Sequence, residues 1–293
     1  YHIVAPMMCG ITNAINALYV IKKLVYDEET ARCNLSQLLL ALQCNWGNNM
    51  TPPFYTTLEG DIRKKADAQF YIELRNYALE VPKFGVNADQ ELRDFAQQMV
   101  GDCVDTIHEA FHTPLPSVAK AYDQIKAKYG SQERPFEFTI TPGVGTFEDN
   151  VGLGSGTGAS ADGRLMGQPI TDDFSAAPWP DDLPFNNQVS NPFTSLKDWN
   201  IEPINNGIAN CAPIDLNIPE DFTLKDLTQL IKEFAHGKIG SNMITVTCGD
   251  HDTYMGATKF PEKYDLVRVR MGGWSEFFVS MFDFHQDYIM RRP

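Results

Sequence analysis

Two adjacent glycines, Gly272 and Gly273, interrupt an apolar segment close to the end of the sequence, in the stretch RVRMGGWSEFF at residues 268–278. A buried strand normally avoids such a pair, because glycine has no side chain to pack and costs about 0.5–1 kcal/mol relative to alanine in a regular element. The pair therefore limits what the C-terminal segment can fold into. Either the chain turns at this point, or it needs a bare Cα there for chemistry.

The charge of the chain excludes two classes of partner. The sequence has 293 residues and a formal net charge of -14. Nucleic acids and anionic membrane surfaces are bound largely through Lys and Arg, so neither is expected as a partner. No apolar stretch is long enough to predict a transmembrane helix. The length accommodates one large α/β domain or two ordinary ones.

The cysteines indicate a reducing compartment, and we expect a cytoplasmic protein. They form no CxxC pair and no tight cluster, which is typical of reduced thiols rather than of a disulfide framework or a zinc knuckle. The opening stretch YHIVAPMMCG has neither an initiator Met nor the charged region of a signal peptide. It predicts a piece of a longer protein, although N-terminal processing gives the same appearance. The six cysteines are Cys9, Cys33, Cys44, Cys103, Cys211 and Cys248.

Helical periodicity dominates the first half of the chain. Apolar residues recur at helical spacing from Ala14 to Val25, and again after Asn34, which is a good N-cap residue. Two longer helices are predicted to end before Pro82 and before Pro114, because proline cannot continue a helix. The first half is therefore predicted to be mostly helical.

From about residue 130 the pattern changes to short strands and turns. A segment at about 140–215 is rich in Gly, Pro and Asp, and we predict a long ordered loop or lid there. The last third contains a helix, the buried strand NMITVTCG, the strand DLVRVRMGGW and a terminal amphipathic segment, an order that predicts an α/β fold. The apolar residues expected to anchor the long loop are Phe147, Leu153, Leu165, Phe174 and Trp179.

The stretch HEAFH offers a metal-binding hypothesis. His108, Glu109 and His112 form a His-Glu-x-x-His pattern, which places two imidazoles one helical turn apart to bind zinc, with Glu as the base. Pro114 breaks the helix directly afterwards, and no further ligand signature follows. A solvated helix face is the favoured interpretation.

The stretch GLGSGTG offers a phosphate-binding hypothesis through its backbone N–H groups. It lacks the Gly-Lys-Ser/Thr ending of a Walker motif and the helix that should follow a dinucleotide fingerprint. We therefore favour a flexible or tightly turned loop for its glycines, which are Gly152, Gly154, Gly156 and Gly158.

The sequence around the double glycine resembles the glycyl radical motif of the pyruvate formate-lyase-like enzymes. That motif contains Arg, an apolar residue, a small residue, Gly and an aromatic residue in this order near the C-terminus. The resemblance implies that Gly273 is the radical site, that Gly272 fills the small-residue position, and that Arg270 and Trp274 support the loop. Removing hydrogen from a Cα leaves a delocalised radical, and the planarity it requires is easiest without a side chain. A tight bend is the alternative interpretation.

Two other stretches are similar to the same family. GITNAINALYVIKKLVYDEETARCNLSQLLLAL resembles the helix pair of the family. GASADGRLMGQPITDDFSAAP looks like the family's GATPDGR loop, with matching positions at Asp162, Gly163, Arg164, Gly167 and Pro169. Three motifs in the family's order make the match specific, and they extend over most of the chain.

The resemblance implies a fold and a division of the chain. The expected fold is the C-terminal part of a ten-stranded α/β barrel surrounded by helices, with the glycyl radical loop inserted into its centre. Residues 1–260 would belong to the barrel domain, including the long loop at about 140–215, and residues 261–293 would form the glycyl radical domain.

The resemblance also implies a mechanism and partners. No bound cofactor is expected, because an activating enzyme with an iron-sulfur cluster and S-adenosylmethionine would install the radical on Gly273. The radical would pass to a cysteine thiol, and the resulting thiyl would attack a small organic acid. None of the six cysteines has the family's context for this thiol. It is expected in the remainder of the enzyme or in a partner chain, and the assembly is expected to be a homo-oligomer.

Details of the motifs look most like the arylacetate decarboxylases, lyases that act on 4-hydroxyphenylacetate, indoleacetate or phenylacetate. These details are the MGGW form of the motif, the long insertion after ADGR and the ending RRP. A dehydratase, an alkylsuccinate synthase and a formate acetyltransferase stay open within the family. Outside this set, a non-catalytic radical-carrying subunit and a zinc hydrolase built on His108, Glu109 and His112 stay open as well.

Overall fold

The computed structural model describes residues 2–48, 68–183, 191–201, 207–208, 210–237 and 239–292. Its first half is mostly helical, which confirms the prediction from periodicity. The side chain of Asn34 caps the second helix by accepting a hydrogen bond from the Gln37 backbone N–H, one of the donors that a helix start leaves free. The helices of this half are α1 (Ile11–Ile21, continued by a π-helical turn at Lys22–Tyr26), α2 (Leu35–Gln43), α3 (Ala68–Glu80), α4 (Gln90–His112) and α5 (Pro116–Tyr129).

The predicted helix ends are also confirmed. Helix α3 ends before Pro82, and α4 ends before Pro114. Residues 51–67, where the sequence predicts the start of the third helix, lie outside the described residues. Helix α4 buries one stripe of apolar residues against the core and leaves its other faces polar, as expected for an amphipathic helix.

Among the described residues, three pairs of strands run parallel. Strand β1 (His2–Val4) pairs with β3 (Phe138–Ile140), β2 (Met7–Met8) with β4 (Gly143–Val144), and β5 (Pro213–Ile218) with β6 (Met243–Cys248). Parallel strands need a crossover connection, and helix α8 (Leu224–His236) provides it between β5 and β6. The mixture confirms an α/β class; the ten-stranded barrel stays an expectation from the resemblance.

The C-terminal segment folds into a hairpin flanked by two helices. Strands β7 (Arg268–Met271) and β8 (Trp274–Phe277) pair in antiparallel fashion. Helix α9 (His251–Lys259) precedes them and α10 (Asp283–Met290) follows. These elements share one apolar cluster, in which Phe278 is fully buried. Burying a side chain of this size contributes about 1.5–3 kcal/mol, so the hairpin is anchored through its end. The other buried members are Tyr254, Ala257, Val269, Met271, Tyr288 and Ile289.

In its described residues, the segment at about 140–215 is not a loop throughout, because helices interrupt it. Helix α6 (Asn150–Ser155) includes Gly152 and Gly154, so the predicted turned loop at these two glycines is wrong. The physical reason is packing: a Cβ on Gly154 would lie 2.4 Å from the Gln168 carbonyl oxygen, so a helix can approach this backbone only with glycine there. Helix α7 (Pro192–Asp198) is the second interruption.

The predicted anchors of this segment divide into buried and exposed residues. Phe174 and Leu165 are buried, as expected. Leu153 is 38% exposed, because it lies on the outer side of α6. Trp179 lines a cavity that is described below. In the described part of the chain, no helix is both long and apolar enough to cross a membrane.

Candidate functional site

The double glycine forms the two-residue turn of the β7–β8 hairpin. Met271 and Trp274 are the last paired residues, so Gly272 and Gly273 alone make the connection. Both have positive φ, 46° and 112°, and a two-residue hairpin turn of this kind requires φ above zero at both positions. Glycine adopts such angles without steric cost, whereas other residues rarely do. The tight bend anticipated from the sequence is therefore present.

The two glycines differ in the space beside their Cα atoms. A Cβ built on Gly272 would lie 2.4 Å from Oδ2 of Asp173. A Cβ built on Gly273 would meet only the Met243 sulfur, at 3.9 Å, which is an ordinary van der Waals distance. Among the described residues, Gly272 is thus closed in by a carboxylate, and the same side of Gly273 leaves room for a reacting group.

A buried carboxylate, that of Asp215, contacts the turn through hydrogen bonds. The Gly272 N–H donates to both oxygens of Asp215, 3.3 Å from each. Asp215 lies on β5, and Thr245, which pairs with it on β6, donates its hydroxyl to Oδ1. The Asp215 carboxylate is 1% exposed, and Nη2 of Arg292 lies 3.5 Å from Oδ2.

Arg292 connects three parts of the site. Its Nη2 pairs with Asp172 as well as with Asp215, and its Nη1 donates to the Arg270 carbonyl at 2.9 Å. Tyr288 donates its hydroxyl to Asp172 and accepts from the Asp172 N–H at 2.8 Å. The guanidinium thereby joins the C-terminus, strand β7 and the loop before Phe174 in one buried network.

The network holds more carboxylates than cations, and this affects the ionisation of its members. The pKa of Asp215 is raised to about 7, chiefly by burial; Arg292 and the Thr245 hydroxyl lower it, and Asp172 and Asp173 raise it. Burial disfavours the charged guanidinium of Arg292, but Asp172 and Asp215 outweigh this and raise its pKa. Burial and Asp172 also raise the pKa of Tyr288 well above its usual value. Arg292 therefore stays charged, while Asp215 can gain a proton near neutral pH.

Asp173 lies at the side of the turn and is itself strained. Its φ is 44°, a conformation that residues with a Cβ adopt rarely. Oδ1 accepts from the Thr146 N–H at 3.0 Å, and the Asp173 N–H donates to the Thr146 hydroxyl at 3.0 Å. This reciprocal pair fixes the carboxylate against Gly272.

The two support residues predicted from the motif have different surroundings. The Arg270 guanidinium donates to the hydroxyl of Ser275, its partner across the hairpin, at 3.1 Å, and its backbone N–H donates to the Thr247 hydroxyl at 2.9 Å. Trp274 is 36% exposed and lies beside the turn on β8. Of the aromatic residues that follow, Phe277 lies under the Arg268 guanidinium, and Phe278 is buried.

The structure places the ADGR loop apart from the hairpin turn. Asp162 accepts from the Asn13 side chain at 2.9 Å, and the Gly163 carbonyl accepts from Arg75 at 2.8 Å. Arg164 donates to carbonyls and one hydroxyl of its own loop. Asp162 and Arg164 line a cavity of about 320 Å³, and Arg292 lines the same cavity, so this residue borders both regions.

The HEAFH residues lie on helix α4. The rings of His108 and His112 stack with centroids 6.2 Å apart, and the Nε2 of His108 lies 3.2 Å from the Gly207 carbonyl oxygen. Within the described ranges, no three His, Cys, Asp or Glu side chains are arranged to hold a metal ion. The zinc hypothesis therefore gains no third ligand from the described residues.

The Asp173 carboxylate affects the pKa values of two cysteines. Burial, Asp149 and Asp173 raise the pKa of Cys9, and burial and Asp173 raise that of Cys211. The Cys9 thiol donates to the Gly145 carbonyl at 3.1 Å. The side of Gly273 where a Cβ would project has no described cysteine sulfur within 4 Å.

The sequence interpretation missed the polar network under the turn. Its members are far apart in the chain, and the sequence shows them only as a charged residue inside the apolar strand PIDLNI, the pair in ITDDF and the ending RRP. A lone carboxylate in a buried strand is the signal that could have found Asp215, because Asp is almost never fully buried unless paired.

Comparison with known proteins gives one family and several relatives. Residues 1–121 match the family model described as pyruvate formate lyase-like. The chain is 27% identical over 292 residues to the isethionate sulfite-lyase of Oleidesulfovibrio alaskensis, covering 96% of this chain and 28% of the relative. It is 22% identical over 287 residues to the 4-hydroxyphenylacetate decarboxylase glycyl radical subunit of Clostridioides difficile, covering 97% of this chain and 28% of the relative.

A solved structure has the same fold. It concerns 1,2-propanediol dehydration in Roseburia inulinivorans, and it superposes with a TM-score of 0.69 at 24% identity, covering 100% of this chain and 31% of that one. The chain spans less than a third of the length of the curated relatives that it matches.

Proposed function

We propose, from the premise that this chain belongs to the pyruvate formate lyase-like glycyl radical enzymes, that it stores a radical on the Cα of Gly273 and works as part of a lyase. The chain would supply the radical hairpin of the longer enzyme. The names of the two relatives, a sulfite-lyase and a decarboxylase, support the lyase class.

The difference in space between the two glycines carries the assignment of the radical to Gly273. On the side where a side chain would project, Gly272 faces a carboxylate oxygen, whereas Gly273 faces only the Met243 sulfur at 3.9 Å. A hydrogen atom can be transferred only when the partner atom approaches the Cα closely. The open Cα of Gly273 is therefore the better donor and acceptor of hydrogen.

The radical chemistry requires from this chain a Cα that has no side chain and is held in a fixed position. Breaking the Cα–H bond of Gly273 leaves one unpaired electron, which the amide nitrogen and the carbonyl share when the carbon is planar. The activating enzyme, with its iron-sulfur cluster and S-adenosylmethionine, would supply the radical that takes this hydrogen atom. Gly273 would later take a hydrogen atom from a thiol, and the Cα–H bond would form again. This chain holds the turn in place through Gly272, Arg270 and the buried network.

The thiol is proposed to lie outside this chain. None of its cysteines has the family's sequence context, and the chain corresponds to less than a third of its relatives' length. We therefore propose that the remainder of the enzyme, or a partner chain, supplies the thiyl-forming cysteine and most of the substrate pocket. A homo-oligomeric assembly without a resident cofactor is part of the same proposal, as is a cytoplasmic, oxygen-free setting.

For the substrate, we propose a small organic acid. The motif details favour an arylacetate that loses its carboxyl group, in agreement with the name of the C. difficile relative. The higher identity to the sulfite-lyase, 27% against 22%, favours isethionate as the second candidate. Activated full-length enzyme incubated with each acid decides between them: carbon dioxide from an arylacetate supports the first, and sulfite from isethionate supports the second.

The radical itself is tested by electron paramagnetic resonance. Full-length protein, purified without oxygen, is treated with activating enzyme, S-adenosylmethionine and a reductant. We expect a doublet near the free-electron position that is absent from the Gly273→Ala variant. Gly167→Ala is the matched control, because Gly167 also has a positive φ, 83°, with open space around it. If a competent activation mixture gives no doublet with the wild-type protein, the turn is only a bend and the proposal fails.

A further inference from the structure

The hydrogen bonds at the hairpin turn come from Gly272, not from the residue proposed to carry the radical. The Gly272 N–H points at a carboxylate and shares its hydrogen between the two oxygens of Asp215, 3.3 Å from each. This N–H belongs to the Met271–Gly272 peptide, which leads into the turn. Fixing that peptide fixes the point from which the two-residue turn starts, and the turn must then close on Trp274, so the position of Gly273 is restricted from both ends.

Asp215 can act as such a fixed point because it is itself held on several sides. Its backbone N–H donates to the Ser175 hydroxyl at 2.9 Å, and its side chain accepts the Thr245 hydroxyl. Arg292 lies 3.5 Å from Oδ2 and also donates to the Arg270 carbonyl in β7. Asp215 and β7 are thus joined through one guanidinium.

We propose that Asp215 is a positioning residue for the Gly273 radical: it accepts the Gly272 N–H of the Met271–Gly272 peptide and thereby anchors the turn that carries the Gly273 Cα. This inference rests on the proposed function of Gly273. Spin delocalises from a Cα only into neighbouring peptides whose orbitals are aligned with it, so a displaced turn should change both the stability and the spectrum of the radical.

The chain offers a matched control for the loss of a buried carboxylate. Asp198 is also 1% exposed, accepts two backbone N–H groups, from Gly85 at 3.0 Å and Ala88 at 3.1 Å, and has Arg93 at 3.5 Å. Burial raises its pKa to about 6. It thus has the same chemistry as Asp215, with bonds to other backbone groups in place of Gly272.

The test compares Asp215→Asn, Asp215→Ala and Asp198→Asn in activated full-length enzyme. Asparagine keeps one acceptor oxygen for the Gly272 N–H but loses the charge that faces Arg292. Losing a hydrogen bond to a charged group should slow the formation of the doublet, and so lower its yield at a fixed activation time, about tenfold in Asp215→Ala. Asp215→Asn should keep an intermediate yield and show a changed hyperfine splitting or a faster decay. Asp198→Asn should match the wild type in the yield, the hyperfine splitting and the decay rate of the doublet.

The outcomes separate this inference from the proposed function. If the wild-type enzyme gives no doublet, the radical assignment itself fails. If the wild type gives a doublet and Asp215→Asn shows the same yield, splitting and decay rate, the radical stands and the positioning role is overturned. If Asp215→Ala does not fold, as judged by circular dichroism, Asp215→Asn alone decides. An equal change in Asp198→Asn also overturns the inference, because it shows a general effect of removing a buried charge.

Discussion

Arg164 in the ADGR loop and Gly272 in the radical hairpin make hydrogen bonds over different distances along the chain. In the loop at residues 158–168, Arg164 bonds to the carbonyls of Gly158, Leu165 and Gln168 and to the Ser160 hydroxyl, all within six residues along the chain. In the hairpin, Gly272 bonds to Asp215, 57 residues away. The bonds of Arg164 are therefore local, although Asn13 and Arg75 also reach this loop at Asp162 and Gly163, whereas the hairpin turn bonds to a carboxylate from a distant strand.

This difference predicts different consequences of mutation. Removing the buried cation Arg164 should destabilise the protein, because the carbonyls of its loop lose their hydrogen-bond donors. Mutations at the hairpin turn, which bonds to a distant strand, should displace the turn. They should lower the free energy of unfolding less and the yield of the radical more.

Replacing Arg164 with alanine should destabilise the protein strongly. The change leaves the buried carbonyls of Gly158, Leu165 and Gln168 without this donor, and we expect a loss of about 3–5 kcal/mol. The melting temperature of the full-length enzyme measures the effect. Arg164→Lys keeps the charge but has fewer donors, so its melting temperature should lie between those of the wild type and Arg164→Ala. A melting temperature equal to that of the wild type would contradict a structural role of the loop.

Replacing Gly272 with alanine should damage the hairpin through a single contact. Its Cβ would lie 2.4 Å from the Asp173 carboxylate, which Thr146 holds in place, so we expect a loss of about 1–3 kcal/mol. The doublet of the activated enzyme should fall with it.

A second substitution sharpens this prediction. Asp173→Gly removes the obstructing carboxylate and is compatible with the φ of 44° at that position. In the double variant the doublet should recover in part. No recovery would mean that backbone strain at Gly272, rather than Asp173, limits the turn.

The charge of Asp215 should give the hairpin network a pH dependence. Its pKa is raised to about 7 in the folded state from 3.8, so the folded state binds more protons between these values. The free energy of unfolding contributed by this group therefore falls as pH rises from about 4 to about 7 and is constant above that. The titratable and charged groups that act on it are Asp172, Asp173 and Arg292, and the Thr245 hydroxyl donates to it.

The variant Asp215→Asn removes the titrating group. The melting temperature of the wild type minus that of the variant should therefore decrease from pH 5 to pH 8 in full-length enzyme. A constant difference across that range would show that Asp215 stays ionised in the folded state. Asp198→Asn should show a similar trend that ends near pH 6, since the pKa of Asp198 is raised to about 6.

The smallest effect is expected at the cysteines near the network. If the thiyl forms on a residue outside this chain, Cys9→Ala and Cys211→Ala should each keep the doublet and change turnover little. Surface and half-buried substitutions usually alter stability by within about 0.5 kcal/mol. A variant that keeps the doublet but loses turnover would identify its cysteine as the thiol and overturn that part of the proposal.

Much of the fold follows from local patterns. The Asn34 cap, the helix ends before Pro82 and Pro114, and strand β6 were all predictable, because caps, proline and apolar periodicity act within a few residues. Gly152 and Gly154 were misjudged because both lie in helix α6, and Gln168 and Pro169 pack so closely against Gly154 that a Cβ would not fit there. The sequence shows glycines but not the neighbour that requires them.

The sequence by itself determined the α/β class, the positions of most helices and the turn at Gly272–Gly273, since these depend on residue type and short-range spacing. Only the tertiary structure decided that Asp173 closes one glycine and leaves the other open, and that Asp215 and Arg292 hold the turn. The physical reason is range. Backbone preferences act between neighbours, whereas a buried carboxylate acts on whatever amide the fold brings within hydrogen-bonding distance.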